Sequence, residues 1–124
     1  MDDVSFYVKK GETFGLVGES GCGKSTTGRT LIRLYDVTAG VIEYDGVDIS
    51  KMSERELFPY RKKIQMIYQD PYASLDARMT VADIIGEPLD VHHIASGAEK
   101  QEIIYDLLHR VGLKKEYASR YAHE

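Results

Sequence analysis

Gly18-Glu19-Ser20-Gly21-Cys22-Gly23-Lys24-Ser25-Thr26 constrains this chain more than any other stretch. It fits G-x-x-x-x-G-K-[ST], the phosphate-binding loop, and its flanks are those the pattern requires. The apolar segment Thr13-Phe14-Gly15-Leu16-Val17 predicts a strand before it, and Thr27-Gly28-Arg29-Thr30-Leu31-Ile32-Arg33-Leu34 predicts a helix continuing after it. The glycines let the backbone turn tightly and bring successive N–H groups toward an anion. A helix opening near Lys24 adds unpaired N–H groups and the positive end of its dipole. Lys24 is then expected to reach β- and γ-phosphates, the Ser25 hydroxyl to ligate Mg²⁺, and Thr26 to support the α-phosphate side. Gly18, Glu19, Ser20, Gly21, Cys22, Gly23, Lys24, Ser25 and Thr26 together form the candidate nucleotide-binding set.

The rest of the chain reads as β-rich first and helical afterwards, with the change near residue 70. Residues 4–8 are rich in β-branched and aromatic side chains, alternate approximately and predict a strand, joined to residues 13–17 by the turn Lys9-Lys10-Gly11-Glu12 as a hairpin or a neighbouring pair. The helix after the loop is expected to bury Leu31 and Leu34, cover Ile32 in part, and end near Tyr35. Val41-Ile42-Glu43-Tyr44 and Val47-Asp48-Ile49 flank the turn Asp45-Gly46, a hairpin signal. Ser53 and Glu56 form a capping-box pattern for a short helix over residues 54–58, with Pro59 near its end. Residues 64–68 predict a further strand, and Gln69-Asp70-Pro71 a loop leaving the sheet.

Thr80 with Asp83 marks a helix start, with Val81, Ile84 and Ile85 on its apolar face before Pro88. Ser96-Gly97-Ala98-Glu99 reads as a capping box for the clearest helix, on which Ile103, Ile104, Leu107, Leu108 and Val111 recur at helical spacing. Gly112 stops that helix, and residues 116–121 supply one more short turn.

The formal net charge of −4 gives no overall attraction to nucleic acid or to an anionic membrane. No apolar run approaches the roughly 20 residues that span a bilayer, so membrane association is expected only through a partner protein. The single cysteine, Cys22, excludes an internal disulfide. His92-His93 lacks the neighbouring Cys or carboxylates of a metal site and reads as a solvated loop. Lys9-Lys10 and Arg61-Lys62-Lys63 read as solvent-facing basic runs, and Asp45 and Asp48 as turn residues.

At Tyr68-Gln69-Asp70-Pro71-Tyr72-Ala73-Ser74-Leu75-Asp76-Ala77-Arg78-Met79-Thr80 the sequence becomes specific. Together with Gly-Glu-Ser-Gly-Cys-Gly-Lys-Ser-Thr it resembles the ATP-binding subunit of ABC transporters, and more narrowly the oligopeptide/dipeptide importer branch. Tyr121-Ala122-His123-Glu124 stands where that branch has Tyr-Pro-His-Glu, with Ala122 in place of the usual proline. The resemblance implies an α/β fold: a partial ABC-type nucleotide-binding domain with part of the helical subdomain. Residues 1–71 are expected to form the β-rich, phosphate-loop part of the ATP-binding core, and residues 72–124 the partial helical subdomain.

By the same resemblance, Gln69 lies in the Q-loop, approaches Mg²⁺ and the attacking water, and couples nucleotide state to the membrane subunit. A glutamine carbonyl can ligate Mg²⁺ and its amide can hold water. Lys24 and Gln69 are thus the candidate catalytic residues, Ser25 and Gln69 the candidate metal ligands, and ATP and Mg²⁺ the implied cofactors. The implied partners are transmembrane subunits and a second ATP-binding subunit, at the cytoplasmic face of the cell membrane. In the family the signature segment, Walker B, the switch histidine and the adenine-stacking aromatic lie outside the stretch that matches. The chain therefore resembles an N-terminal half, expected to hydrolyse little ATP alone and to self-associate through strand edges or apolar faces. The alternatives are a non-catalytic nucleotide- or phosphate-binding fragment, and an interaction module docking on the membrane subunit. The segment around Gln69 and the lack of a guanine-specificity motif set aside a small kinase or GTPase.

Overall fold

The computed structural model describes residues 4–19 and 23–124. The chain divides into two compact units, residues 1–66 and 67–124.

In the first unit, Lys9-Lys10-Gly11-Glu12 forms the expected turn, closed by the Glu12 N–H donating to the Lys9 carbonyl at 3.0 Å. The arms of this turn approach each other, with Phe6 and Phe14 stacked at 4.8 Å. Neither arm becomes a strand, and neither does the segment 64–68. This corrects the three strands expected there. An extended segment becomes a strand only when a neighbour takes up its N–H and C=O groups. Instead Val17 is 89% and Ile67 99% exposed, and no strand pairs with these segments among the described residues.

Helix α1, Lys24–Leu31, follows the loop and ends short of Tyr35. Its last turn closes through Arg33, which adopts φ 60°. The Arg33 N–H donates to Thr30 O at 3.0 Å and the Leu34 N–H to Arg29 O at 2.9 Å, the bond pair of a Schellman stop. That early stop turns Leu31 and Leu34 into solvent, 38% and 48% exposed, against the expected burial, while Ile32 is partly covered as expected.

The hairpin forms as read: β1 Glu43–Tyr44 pairs antiparallel with β2 Val47–Asp48, Tyr44 opposite Val47. Asp45 at φ 49° and Gly46 at φ 81° give it the twist of a primed turn. Helix α2, Glu54–Arg61, carries the full Ser53/Glu56 capping box and runs past Pro59 by two residues. The proline removes one bond, to the carbonyl of exposed Arg55, which water can satisfy. Ile49 and Leu57, each 1% exposed, are the buried apolar side chains among the described residues of this unit, and Tyr60 meets Tyr44 edge-on at 5.9 Å.

The second unit is helical. Asp70 caps one turn, α3 Pro71–Ser74, accepting from the Tyr72 N–H at 3.1 Å and the Ala73 N–H at 3.3 Å. A loop was expected here, but proline at the first helical position starts a helix as readily as it ends one. Helix α4, Val81–Val91, has the Thr80/Asp83 capping box and continues through Pro88. Helix α5, Gly97–Arg110, forms without a side-chain cap from Ser96. Gly97 enters it at φ 58°, so the backbone approaches the first turn differently from the two boxed helices and the expected capping box does not close.

Gly112, at φ 80°, ends α5 as expected, its N–H donating to His109 O at 3.0 Å and that of Leu113 to Leu108 O at 2.9 Å. A 3-10 turn, Lys115–Ser119, follows. Leu89, Ile104, Leu108 and Ala118 form the core of the unit, with Val81, Ala82, Ile85, Ile103 and Tyr105 around it. Leu107 and Val111 lie on its outer edge, 39% and 71% exposed. At Gly86 the two helices approach closely: a Cβ there would stand 3.2 Å from Ile104 Cδ1.

Candidate functional site

Ser20, Gly21 and Cys22 of the candidate set lie outside the described residues. The two ends of the loop are described. Gly23, the N-cap of α1, takes φ 93° and ψ 11°, a left-handed conformation open to glycine at little cost. The helix therefore begins on Lys24, and its first bond runs from the Thr27 N–H to Gly23 O at 2.8 Å. The N–H groups of Lys24, Ser25 and Thr26 precede that bond and have no acceptor within the helix. Ser25 and Thr26 are at the surface, so these donors open to solvent. Thr27 is buried and its Oγ1 also donates to Gly23 O, at 2.8 Å, which pins the first turn to the loop. The Lys24 ammonium donates to the carbonyl of Gly18 and so links the two ends of the loop across the intervening residues.

Backbone donors, a lysine ammonium and the positive end of a helix dipole converge on one exposed spot. Such an arrangement can hold a phosphate. Ser25 adds a neutral hydroxyl oxygen of the kind that ligates a hard divalent cation. Among the described residues there is no group of three or more His, Cys, Asp or Glu side chains that could hold a metal by itself.

Gln69 belongs to the second unit, is exposed, and directly precedes the N-cap residue Asp70. His92 caps the C-terminus of α4, and His93 follows it at φ 51° as part of that helix stop. Lys62 and Lys63 are exposed as expected, but Arg61 is not simply solvent-facing. It donates to the Ile32 carbonyl, to Arg33 O at 3.1 Å and to both Glu54 carboxylate oxygens at 3.2 Å. Arg33 is buried and donates to Ile49 O at 2.7 Å, Met52 O at 3.1 Å and Asp36 Oδ1 at 3.3 Å. Neither arginine stands out in the sequence; the available signal was a basic side chain at the end of each helix.

Asp48 is held below the usual carboxylate range by the hydroxyl of Ser50, then by the Ser50 N–H at 2.9 Å. Asp76 is lowered in the same way by the Arg78 side chain and N–H. Both are loop-stabilising pairs. No helix among the described residues is long and apolar enough to cross a membrane.

The motif at residues 18–26, followed by a helix that opens at Gly23, has the pattern of the phosphate-binding-loop proteins. Comparison with known families narrows this: the family described as ABC transporter matches residues 1–124, and the chain belongs to that family. It is 55% identical over 126 residues to the oligopeptide transport ATP-binding protein OppF of Bacillus subtilis (strain 168), covering all of this chain and 41% of that protein. It is 54% identical over 125 residues to the oligopeptide transport ATP-binding protein AppF of the same organism, covering all of this chain and 38% of that protein. The oligopeptide transport ATP-binding protein OppF of Streptococcus mutans serotype c is 51% identical over 125 residues, again over all of this chain and 41% of that protein. The chain thus spans about two fifths of the length of these relatives.

Proposed function

We propose that this chain is the phosphate-binding part of the ATP-binding subunit of an oligopeptide/dipeptide-type ABC importer. The observation that carries the reading is its 55% identity, over its whole length, to an oligopeptide transport ATP-binding protein. The start of α1 supports it independently, because the donors there suit a triphosphate.

On this reading the backbone from Gly18 to Thr26 cradles the phosphates. Lys24 exchanges its Gly18 carbonyl for β- and γ-phosphate oxygens, and the Ser25 hydroxyl ligates Mg²⁺. A Mg²⁺ held there would supply positive charge against the phosphate oxygens. Gln69 would be the residue to offer a side-chain carbonyl to such a metal and an amide to a water, by the family resemblance. Lys24, Ser25 and Gln69 include no general base, so the work assigned to these residues is binding and positioning. On the same reading residues 1–71 belong to the phosphate-loop part of the ATP-binding core and residues 72–124 to the partial helical subdomain. The partners are transmembrane subunits and a second ATP-binding subunit, with the protein peripheral to the cytoplasmic face of the membrane. Exposed apolar residues such as Val17 and Ile67 favour self-association of the isolated chain, which light scattering at micromolar concentration reads directly.

Titration calorimetry with MgATP tests the reading, with Lys24→Ala as the paired variant. The expected result is saturable binding that weakens by about tenfold or more in the variant, as loss of a charge-assisted contact implies. GTP is expected to bind about as well as ATP, because the assigned donors meet only phosphates. Absence of binding in a cooperatively melting protein, or affinity untouched by Lys24→Ala, overturns it.

A further inference from the structure

Apolar packing does little to hold α1 in place. Thr27 is its one buried residue, while Leu31 within it and Leu34 just beyond are exposed. The helix is instead gripped at its C-terminal end by two guanidinium groups. Arg61, from the last position of α2, donates to the carbonyls of Ile32 and Arg33, which follow the last residue of α1. Its other partner, Glu54, sits one position after the N-cap of α2 and holds the fork in place. Arg33 reaches the other way, to the carbonyls of Ile49 and Met52 behind the β1–β2 hairpin.

The side chain of Arg33 is 7% exposed, and its Nε has no hydrogen-bond partner among the described residues. Its backbone is also left-handed, at φ 60°. A residue kept in that conformation, with one buried donor unanswered, is held there by its other bonds. Both cations also stand at the negative end of the helix dipole. The eight residues of α1 make a rod about 12 Å long, whose other end carries Lys24, Ser25 and Thr26. A tilt at the gripped end displaces the donors at the free end.

We propose that Arg61 and Arg33 are positioning residues for the phosphate loop, aiming the N-terminus of α1 by clamping its C-terminus to α2 and to the segment after the hairpin. The proposal rests on the nucleotide-binding reading for its functional consequence, but the clamp itself can be tested without nucleotide.

The test uses the whole chain with Arg61→Met, which keeps an apolar stem and removes the donors, and Arg61→Lys, which keeps the charge. Leu57→Ala serves as a comparison that weakens the same unit by a cavity in α2. Hydrogen exchange of the unliganded proteins is read across α1 and α5, and MgATP affinity by calorimetry. Arg61→Met is expected to speed exchange at residues 27–32 by about tenfold, with partial recovery in Arg61→Lys and no change across α5. MgATP affinity is expected to fall by a similar factor, and more than in a Leu57→Ala protein of equal or lower melting temperature. Unchanged α1 exchange in Arg61→Met overturns the clamp whether or not nucleotide binds. Equal losses of affinity in Arg61→Met and Leu57→Ala reduce Arg61 to a general stabiliser and overturn its positioning role. Failure of wild-type protein to bind MgATP, with Lys24→Ala identical to it, counts against the loop reading and against the functional consequence drawn here. The exchange result then decides the clamp alone.

Discussion

The two units meet the same requirement, covering apolar side chains, with different success. Residues 67–124 fold α4, α5 and the 3-10 turn around Leu89, Ile104, Leu108 and Ala118. Residues 4–17 leave Val4, Tyr7, Val8, Phe14 and Val17 between 44% and 89% exposed. A helix satisfies its own backbone and needs only a neighbour for one face, which α4 and α5 supply to each other from nearby sequence. An extended segment needs partners for its backbone and for both faces, and those come from elsewhere. Where packing is thin, polar clamps take over. Ile104 and Leu108 hold α5 through apolar contacts, whereas α1 is held by the hydrogen bonds of Arg33 and Arg61.

The sharpest way to break this contrast is Leu108→Ala. Leu108 is 1% exposed at the centre of the helical core, so truncation is expected to cost about 2–5 kcal/mol, read by denaturant unfolding of the far-ultraviolet signal. A change below about 1 kcal/mol means that the helical unit is no better packed than the first. Next comes Thr80→Ala, expected to destabilise by about 1 kcal/mol because the hydroxyl accepts the Asp83 N–H at 3.2 Å. Ser96→Ala, at the start of α5, is expected to fall well short of that, since Ser96 makes no cap bond. Equal effects of the two substitutions remove the distinction between a closed and an open capping box.

Acid probes the first unit more gently. Asp48 has a lowered pKa in the folded chain, through the Ser50 hydroxyl and N–H, so its charged form is the stabilised one. Its contribution is complete above the ordinary aspartate range and is lost as pH falls through the lowered folded value. Asp48→Asn is expected to flatten that acid limb slightly without altering stability trends above neutrality, measured as melting temperature against pH. The smallest effect is expected at Leu34→Ala, within about 0.5 kcal/mol because the side chain is 48% exposed. A loss of several kcal/mol there gives the first unit an apolar anchor and weakens the case for the arginine clamp.

Much of the helical unit was readable because its signals are local. The Thr80/Asp83 box, the Gly112 stop and the spacing of Ile104 and Leu108 each act within a few residues, and the Ser53/Glu56 box does the same for α2. The candidate site was readable in its motif and at its two ends, where Gly23 opens the helix on Lys24. Apart from α3, which Asp70 and Pro71 start locally, the elements that differ from expectation depend on distant partners or on one backbone angle. The segments 4–8, 13–17 and 64–68 have strand composition without strand neighbours. Ser96 has cap chemistry, but Gly97 changes the entry to the helix.

The sequence by itself determined the phosphate-loop motif, most helix starts and stops, the Asp45-Gly46 hairpin and membership of the family. Each follows from bonds between residues close in the chain, or from a pattern long enough to be specific. Only the tertiary structure decided that Leu31 and Leu34 face solvent, that Arg33 is buried, and that Arg61 grips the end of α1 from 28 residues away. Those outcomes turn on which carbonyls come within reach once the chain has turned back on itself, and no local propensity encodes that distance.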